Sequence, residues 1–148
     1  MGFDGELKNI LNKKTKNFPR TLVLGLQWVS VGYSSALYFA GKKFGKETVA
    51  PTIKSNDLKG ILKDAGTVFK SLGIGTLGIK EAQENRAVLT LKNGTTAHGM
   101  SSVGKPICFF ECGLIAGILE GRLKKNVTVN ETMCGGLGDS EEEFIVKM

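Results

Sequence analysis

ICFFECGLIAGILEGRLKKNVTVNETMCGGLGDSEEEFIV, residues 107–146, is the stretch of the sequence that decides the fold. Its apolar first part, residues 107–123, predicts a helix. Alternation at Val127 and Val129 then predicts a strand, and the glycine-rich segment after it predicts a turn that leads into a closing strand. A helix followed by a strand hairpin is therefore expected at the C-terminal end.

Two glycines of the predicted helix, Gly113 and Gly117, lie four residues apart and therefore share one face. Because glycine has no Cβ, this face lets another backbone approach closely. The glycines of residues 135–138 permit a turn that side chains would obstruct. Asp139 can bond to the backbone of that turn, so we expect a structural role for it.

The rest of the chain predicts further helices and strands before this stretch. The β-branched and aromatic content after Pro19 predicts a strand, and Pro19 itself is expected to break any helix before it. The predicted elements before residue 107 are a strand at 20–32, helices at 33–47 and 55–73, and strands at 75–85 and 86–95. Since the helices fall between hairpins instead of after every strand, the order indicates an α+β fold, an antiparallel sheet with helices packed on it.

The composition indicates one globular domain. The chain has 148 residues, 41% of them hydrophobic and 23% charged. We divide it into a basic N-terminal segment, residues 1–18, and one domain, residues 19–148. No apolar run reaches the roughly 18–20 residues of a membrane span, and no secretory signal is recognised, so we expect a cytoplasmic protein.

The net charge of +6 raises the question of a nucleic-acid partner. The chain has no interleaved aromatic residues, no helix-turn-helix pattern and no zinc-finger spacing, so a lysine-coated surface is favoured over nucleic-acid binding. The sequence GIGTLG, residues 73–78, matches a dinucleotide fingerprint. It follows a predicted helix and precedes a strand, the reverse of the context that binds a pyrophosphate.

The cysteines have three alternative roles: core residues, a redox pair or metal ligands. Cys108 and Cys112 share one helix face, and free cysteines are usually buried. Cys134 follows three residues after Glu131, and the hairpin brings Glu142 near them. Thiolates and carboxylates both bind zinc.

The zinc set considered from these residues is Cys108, Glu131, Cys134 and Glu142. The chain has a single histidine, His98, which is either a substitute ligand or a solvent-exposed loop residue.

Residues 107–146 resemble the C-terminal motif of 4-vinyl reductase-like domains. The matching positions are Cys108, Phe110, Gly113, Ala116, Gly117, Val127, Val129, Glu131, Cys134, Gly138, Asp139, Phe144 and Val146. Upstream, LYFAGKKFG, residues 37–45, is similar to a further segment of the same domains. The resemblance extends from about residue 33 to the C-terminus.

The resemblance implies an α+β fold shared with vesicle-tethering subunits and nitric-oxide-sensing haem domains. It implies a module that binds a small apolar or aromatic molecule, and it places Cys108, Glu131 and Cys134 at the positions where aromatic sensors hold a structural zinc ion. The family's fourth ligand, a cysteine, is Glu142 here, and a carboxylate makes a harder and more exchangeable ligand. Cys112, one helical turn after Cys108, is the alternative.

Three functions follow from these observations. The first is a ligand-binding or sensor module, with an apolar pocket between helices and sheet. Candidate lining residues are Trp28, Tyr38, Phe39, Phe69, Phe109 and Phe110. The second is a reductase or an accessory protein acting on a vinyl group, which we expect less because the chain lacks an acid–base constellation and a nicotinamide or flavin site. The third is a homodimeric scaffold, and a homodimer is also the state that we expect for a sensor.

Overall fold

A computed structural model describes residues 17–26 and 32–148, together with residues 2, 5 and 6. Four α-helices and four β-strands follow one another as α1 (Phe18–Leu26), α2 (Tyr33–Phe44), α3 (Leu58–Ser71), β1 (Thr76–Gln83), β2 (Arg86–Lys92), α4 (Phe109–Leu123), β3 (Thr128–Met133) and β4 (Glu142–Lys147). The expected α+β fold is confirmed. None of the helices in these described ranges is long and apolar enough to cross a membrane.

The strand predicted at residues 20–32 is wrong, because the described part of this segment is helix α1. Asn17 starts the helix: its side-chain oxygen accepts a hydrogen bond from the Arg20 backbone N–H at 2.9 Å. Pro19 lies in the first turn, where its fixed φ suits a helix and its missing N–H costs nothing. Pro19 therefore begins a helix instead of breaking one.

Tertiary contacts explain why the β-branched residues of this segment are helical. Val23 and Leu24 are buried on the same face as Arg20. The Arg20 guanidinium contacts buried Glu6 at 3.4 Å and donates to the carbonyl oxygens of Thr96 and His98 at 2.7 and 2.6 Å. These partners are distant in sequence, so local β-propensity could not reveal them.

The sheet is antiparallel throughout, with strand order β1-β2-β4-β3. The two hairpins predicted from sequence are confirmed, and β4 joins them by pairing with β2. Glu131 on β3 lies opposite Phe144 on β4, and Glu142 at the start of β4 lies opposite Leu91 on β2. The sheet thus places Glu131 and Glu142 near the end of the β3–β4 hairpin where its turn lies.

Helix α4 is the centre of the molecule, and every residue from Glu111 to Glu120 is buried. One side packs on α2 through the glycines that the sequence singled out. A Cβ built on Gly113 would overlap the carbonyl oxygen of Tyr38, and one built on Gly117 would overlap that of Lys42. The predicted close backbone approach is confirmed, and its partner is α2.

Candidate metal centre and ligand cleft

Cys108 lies at the junction between a loop and the first turn of α4, where it is the N-cap residue. Its backbone N–H donates to Oε1 of Glu131 on β3 at 3.1 Å. This bond ties the start of the central helix to the outer strand. The position of the first predicted ligand is therefore set by a contact with the second.

Cys134 follows directly after β3 and begins the turn toward β4. Its Sγ accepts a hydrogen bond from the Gly136 backbone N–H at 3.3 Å, and its own N–H donates to the Asp139 carboxylate at 2.9 Å. The structural role expected for Asp139 is confirmed. Gly138 has φ +95°, a conformation that favours glycine, so the turn can return at once to β4.

Donor atoms of Cys108, Glu131 and Cys134 all lie within 4.8 Å of one another, and we call this group the three-donor cluster. Cys108 is 1% exposed and Cys134 is 0% exposed. The structure thus brings together three of the four predicted ligands. Glu142 is outside the three-donor cluster, although it is 1% exposed and both its carboxylate oxygens lack a hydrogen-bond partner among the described residues.

Hydrogen bonding and burial set the protonation of the three-donor cluster. A hydrogen bond from Cys108 lowers the pKa of the Cys134 thiol to about 6, and the same bond raises the pKa of Cys108. Burial, reinforced by the Cys134 charge, raises the pKa of Glu131 to about 9. Cys134 is thus already disposed to be the thiolate, the form that binds metals.

Glu111 is a site residue that sequence reasoning missed. Burial raises the pKa of its carboxyl to about 7, and it bonds to Cys108 and Thr96. Burial, with the charge of Cys134, also raises the pKa of Glu142 to about 7. The signal in the sequence was an acidic residue between two cysteines on a helix that is otherwise apolar.

Negative groups therefore crowd this part of the core without a cation. None of the ion pairs among the described residues includes Glu111, Glu131 or Glu142. Buried carboxylates without a counter-charge are costly unless they are protonated or coordinate a metal. The donor set and its unbonded oxygens therefore fit a divalent cation.

We expect the metal-free protein to become less stable as the pH rises from about 4.5 to about 7, the ordinary and folded pKa values of Glu111 and Glu142. In this range the folded carboxyls keep protons that the unfolded chain has lost, so stability is fully present below the range. The slope is at most about 1.4 kcal/mol per pH unit for each group. Urea unfolding after chelation measures it, and Glu111→Gln should reduce the slope. Stability that rises with pH would contradict this assignment.

A cleft of about 530 Å³ lies between α2, the start of α4 and β3, and we call it the α2–β3 cleft. Its lining residues are Ser34, Ser35, Tyr38, Phe39, Lys42, Pro106, Phe109, Cys112, Val127, Thr128, Val129, Asn130 and Glu131. Because Glu131 belongs to both, the cleft and the three-donor cluster share a wall.

The predicted lining residues divide between several places. Tyr38, Phe39 and Phe109 line the α2–β3 cleft, and Phe110 lines a second cavity of about 240 Å³ beside Glu111. Phe69 is fully buried in the core. Trp28 lies outside the described residues.

The two alternative metal ligands have other positions. Cys112 is buried and lines the α2–β3 cleft, and it is not in the three-donor cluster. His98 is exposed, as the alternative of a solvent-exposed loop histidine expected, and its backbone oxygen accepts from Arg20.

The four-stranded sheet, the buried central helix and the neighbouring cleft define an α+β domain of the type found in small-molecule sensors and tethering subunits. A sequence profile of the 4-vinyl reductase-like domain matches residues 87–148. A solved vinyl-4-reductase family protein from Methanocaldococcus jannaschii has 26% identity and a TM-score of 0.60, and the match covers 98% of this chain and 93% of that chain. The chain belongs to the 4-vinyl reductase-like domain family.

A relative in the same organism has greater identity. The uncharacterized protein MJ0150 of Methanocaldococcus jannaschii is 35% identical over 125 residues, which are 84% of this chain and 70% of that protein. Similarity to this relative extends well beyond the residues matched by the family profile, so a large part of the chain has a counterpart there.

Three more distant structures share the fold. The phenol-responsive sensory domain of the transcription activator PoxR, solved with phenol, has a TM-score of 0.73 at 12% identity and covers 98% of this chain and 89% of its own. A trafficking protein particle complex subunit 3 from Naegleria fowleri, covalently bound to palmitic acid, has a TM-score of 0.65 at 17% identity, with 97% and 95% covered. An H-NOX protein from S. oneidensis has a TM-score of 0.56 at 12% identity, with 98% and 87% covered. The fold relationship implied by the sequence is confirmed.

Proposed function

We propose that this protein is a small-molecule-binding or sensor module that takes an apolar or aromatic molecule in the α2–β3 cleft. The observation that carries the proposal is the shared wall: Glu131 and its neighbours on β3 line a cleft beside a buried group of metal-type donors. Ligand sites are typically apolar concavities with a few placed polar groups. Tyr38 and Phe109 supply aromatic surface, and Lys42 and Glu131 supply the polar groups.

Two fold relatives support an apolar occupant. The PoxR sensory domain was solved with phenol, and the Naegleria subunit carries palmitic acid. Phenol and palmitic acid are therefore the first probes for this protein. They represent the aromatic and the lipid-like class.

We further propose that Cys108, Glu131, Cys134 and Glu142 hold a structural zinc ion. Three of these residues already lie within 4.8 Å of one another, and the unbonded buried oxygens of Glu131 and Glu142 lack any other partner among the described residues. When bound, the ion would supply a cross-link between the start of α4, β3 and the β3–β4 turn. It would also neutralise the charge that burial otherwise disfavours.

We expect phenol or palmitic acid to raise the melting temperature of the wild-type protein. A ligand at about 100 times its dissociation constant adds about 2.7 kcal/mol to the free energy of unfolding. Thr128→Trp should reduce the shift, because Thr128 is exposed at the cleft and a large ring there would fill it. The matched control is Thr132→Trp on the same strand, since Thr132 is exposed and does not line the cleft. Thermal unfolding followed by circular dichroism measures the shift.

An unchanged melting temperature with both probes would count against an apolar or aromatic ligand. Equal shifts in Thr128→Trp and Thr132→Trp would place the ligand outside the α2–β3 cleft. The homodimer expected from the sequence also stays a prediction. Phe18 and Leu22 on α1 and Leu72 after α3 are exposed apolar residues suited to such a contact, and sedimentation equilibrium measures the mass.

A further inference from the structure

The fourth predicted ligand differs from the other three in its surroundings. Cys108, Glu131 and Cys134 are held together by backbone hydrogen bonds: one joins the Cys108 N–H to Glu131, and another joins the Gly136 N–H to the Cys134 sulfur. Neither oxygen of Glu142 has a hydrogen bond among the described residues, and Glu142 is not within the three-donor cluster. Three positions are thus preorganised by the fold, and the fourth is not.

The α2–β3 cleft leads to this fourth position. Cys108 and Cys134 are closed to solvent, whereas Glu131 is half-buried and forms part of the cleft wall. Cys112, one turn after Cys108 on α4, lines the same cleft. A molecule in the cleft therefore lies beside the one member of the three-donor cluster that is not closed to solvent.

Charge indicates which donor such a molecule would carry. Two thiolates and the Glu131 carboxylate provide three negative charges against the two positive charges of a zinc ion. Lys42, the cation of the cleft, has its Nζ 2.7 Å from Glu120 and is already paired. A further buried anion would add uncompensated charge, whereas a neutral nitrogen donor adds none, and imidazole-type nitrogen is a good zinc ligand.

We propose that the metal keeps an exchangeable fourth position, and that a small apolar molecule with a neutral nitrogen donor enters by the α2–β3 cleft and replaces Glu142 there. The inference rests on the proposed metal site and adds to it the class of ligand and its route. The exchange breaks the bond to a Glu142 oxygen and forms one from the nitrogen lone pair. It needs no proton, electron or co-reactant.

The test uses the full chain loaded with Co(II), whose visible absorption reports the ligands around it, and imidazole as the probe. We expect imidazole to change the absorption in a saturable way while the cobalt-to-protein ratio after desalting stays constant. Glu142→Cys supplies a third thiolate and should raise the half-saturating imidazole concentration about tenfold or more. Glu142→Gln, which removes the competing carboxylate, should not raise it.

The cleft route has its own variant. Thr128→Trp should weaken the response to imidazole at unchanged cobalt content, and Thr132→Trp should not. An absorption that imidazole leaves unchanged in the wild type, or changes equally in Glu142→Cys, would overturn the exchangeable position while leaving the metal site intact. No protein-bound cobalt in the wild type would overturn the metal site itself. The two failures are therefore distinguishable.

Discussion

Gly113→Ala should lower the free energy of unfolding by about 3 kcal/mol, because its methyl group would collide with backbone that cannot move aside. The nearest atom is the carbonyl oxygen of Tyr38, and the Tyr38 carbonyl carbon and the Lys42 nitrogen follow at 2.8 and 2.9 Å. Helix α2 would have to separate from α4 along the contact that holds the core. Urea unfolding of the purified variant measures the change.

Gly66→Ala is the matched control, since the substitution is the same and the position is also inside a helix. A Cβ at Gly66 would meet its nearest neighbour, the Leu77 oxygen, at 3.5 Å, which is an ordinary contact. Alanine is favoured over glycine in a helix interior by roughly 0.5–1 kcal/mol, so this variant should be as stable as the wild type or more so. Similar losses in both variants would show that the α2–α4 approach is not the cause.

Chelation should destabilise the wild-type protein strongly and leave Cys134→Ser almost unchanged. A metal at about 1,000 times its dissociation constant contributes about 4 kcal/mol, which is lost when the ion is removed. Cys134 is the donor whose pKa is lowered, so its loss removes the preformed thiolate. Metal analysis beside thermal unfolding, with and without chelator, measures both quantities, and we expect about one zinc per wild-type chain.

Cys112→Ser is the matched control for a buried thiol, because Cys112 is 3% exposed and lies outside the three-donor cluster. It should retain the metal and the response to chelator. Metal loss in Cys112→Ser together with retention in Cys134→Ser would reverse our assignment of ligands. A wild-type protein without metal would return Cys108 and Cys134 to a role in the core alone.

Local signals in the sequence were sufficient for the C-terminal half of the fold. The two hairpins were predictable because alternation and turn residues act between neighbours in the chain. Helix α4 was predictable from its apolar composition, and its glycine face from the spacing of Gly113 and Gly117. The grouping of Cys108, Glu131 and Cys134 was expected because the resemblance to 4-vinyl reductase-like domains aligned each of them with a ligand position.

The sequence could not predict the features that depend on distant partners. Helix α1 was mistaken for a strand, since its stability comes from burial of Val23 and Leu24 and from the contacts of Arg20 with Glu6 and with loop carbonyls. Glu111 was missed because a single acidic residue in an apolar helix carries no local signature of its partners. Its neighbours, Cys108 and Thr96, meet it only after the helix has packed.

By itself, the sequence determined the α+β class, the hairpins, the close-packing face of α4 and the identity of the candidate ligands, because short-range periodicity and residue chemistry are sufficient for these. Tertiary structure alone decided that α2 is the helix lying on that face, that Glu142 lies outside the three-donor cluster, and that Glu131 also lines a cleft. These features depend on distances between segments far apart in the chain. Such distances are set by packing, to which every element contributes.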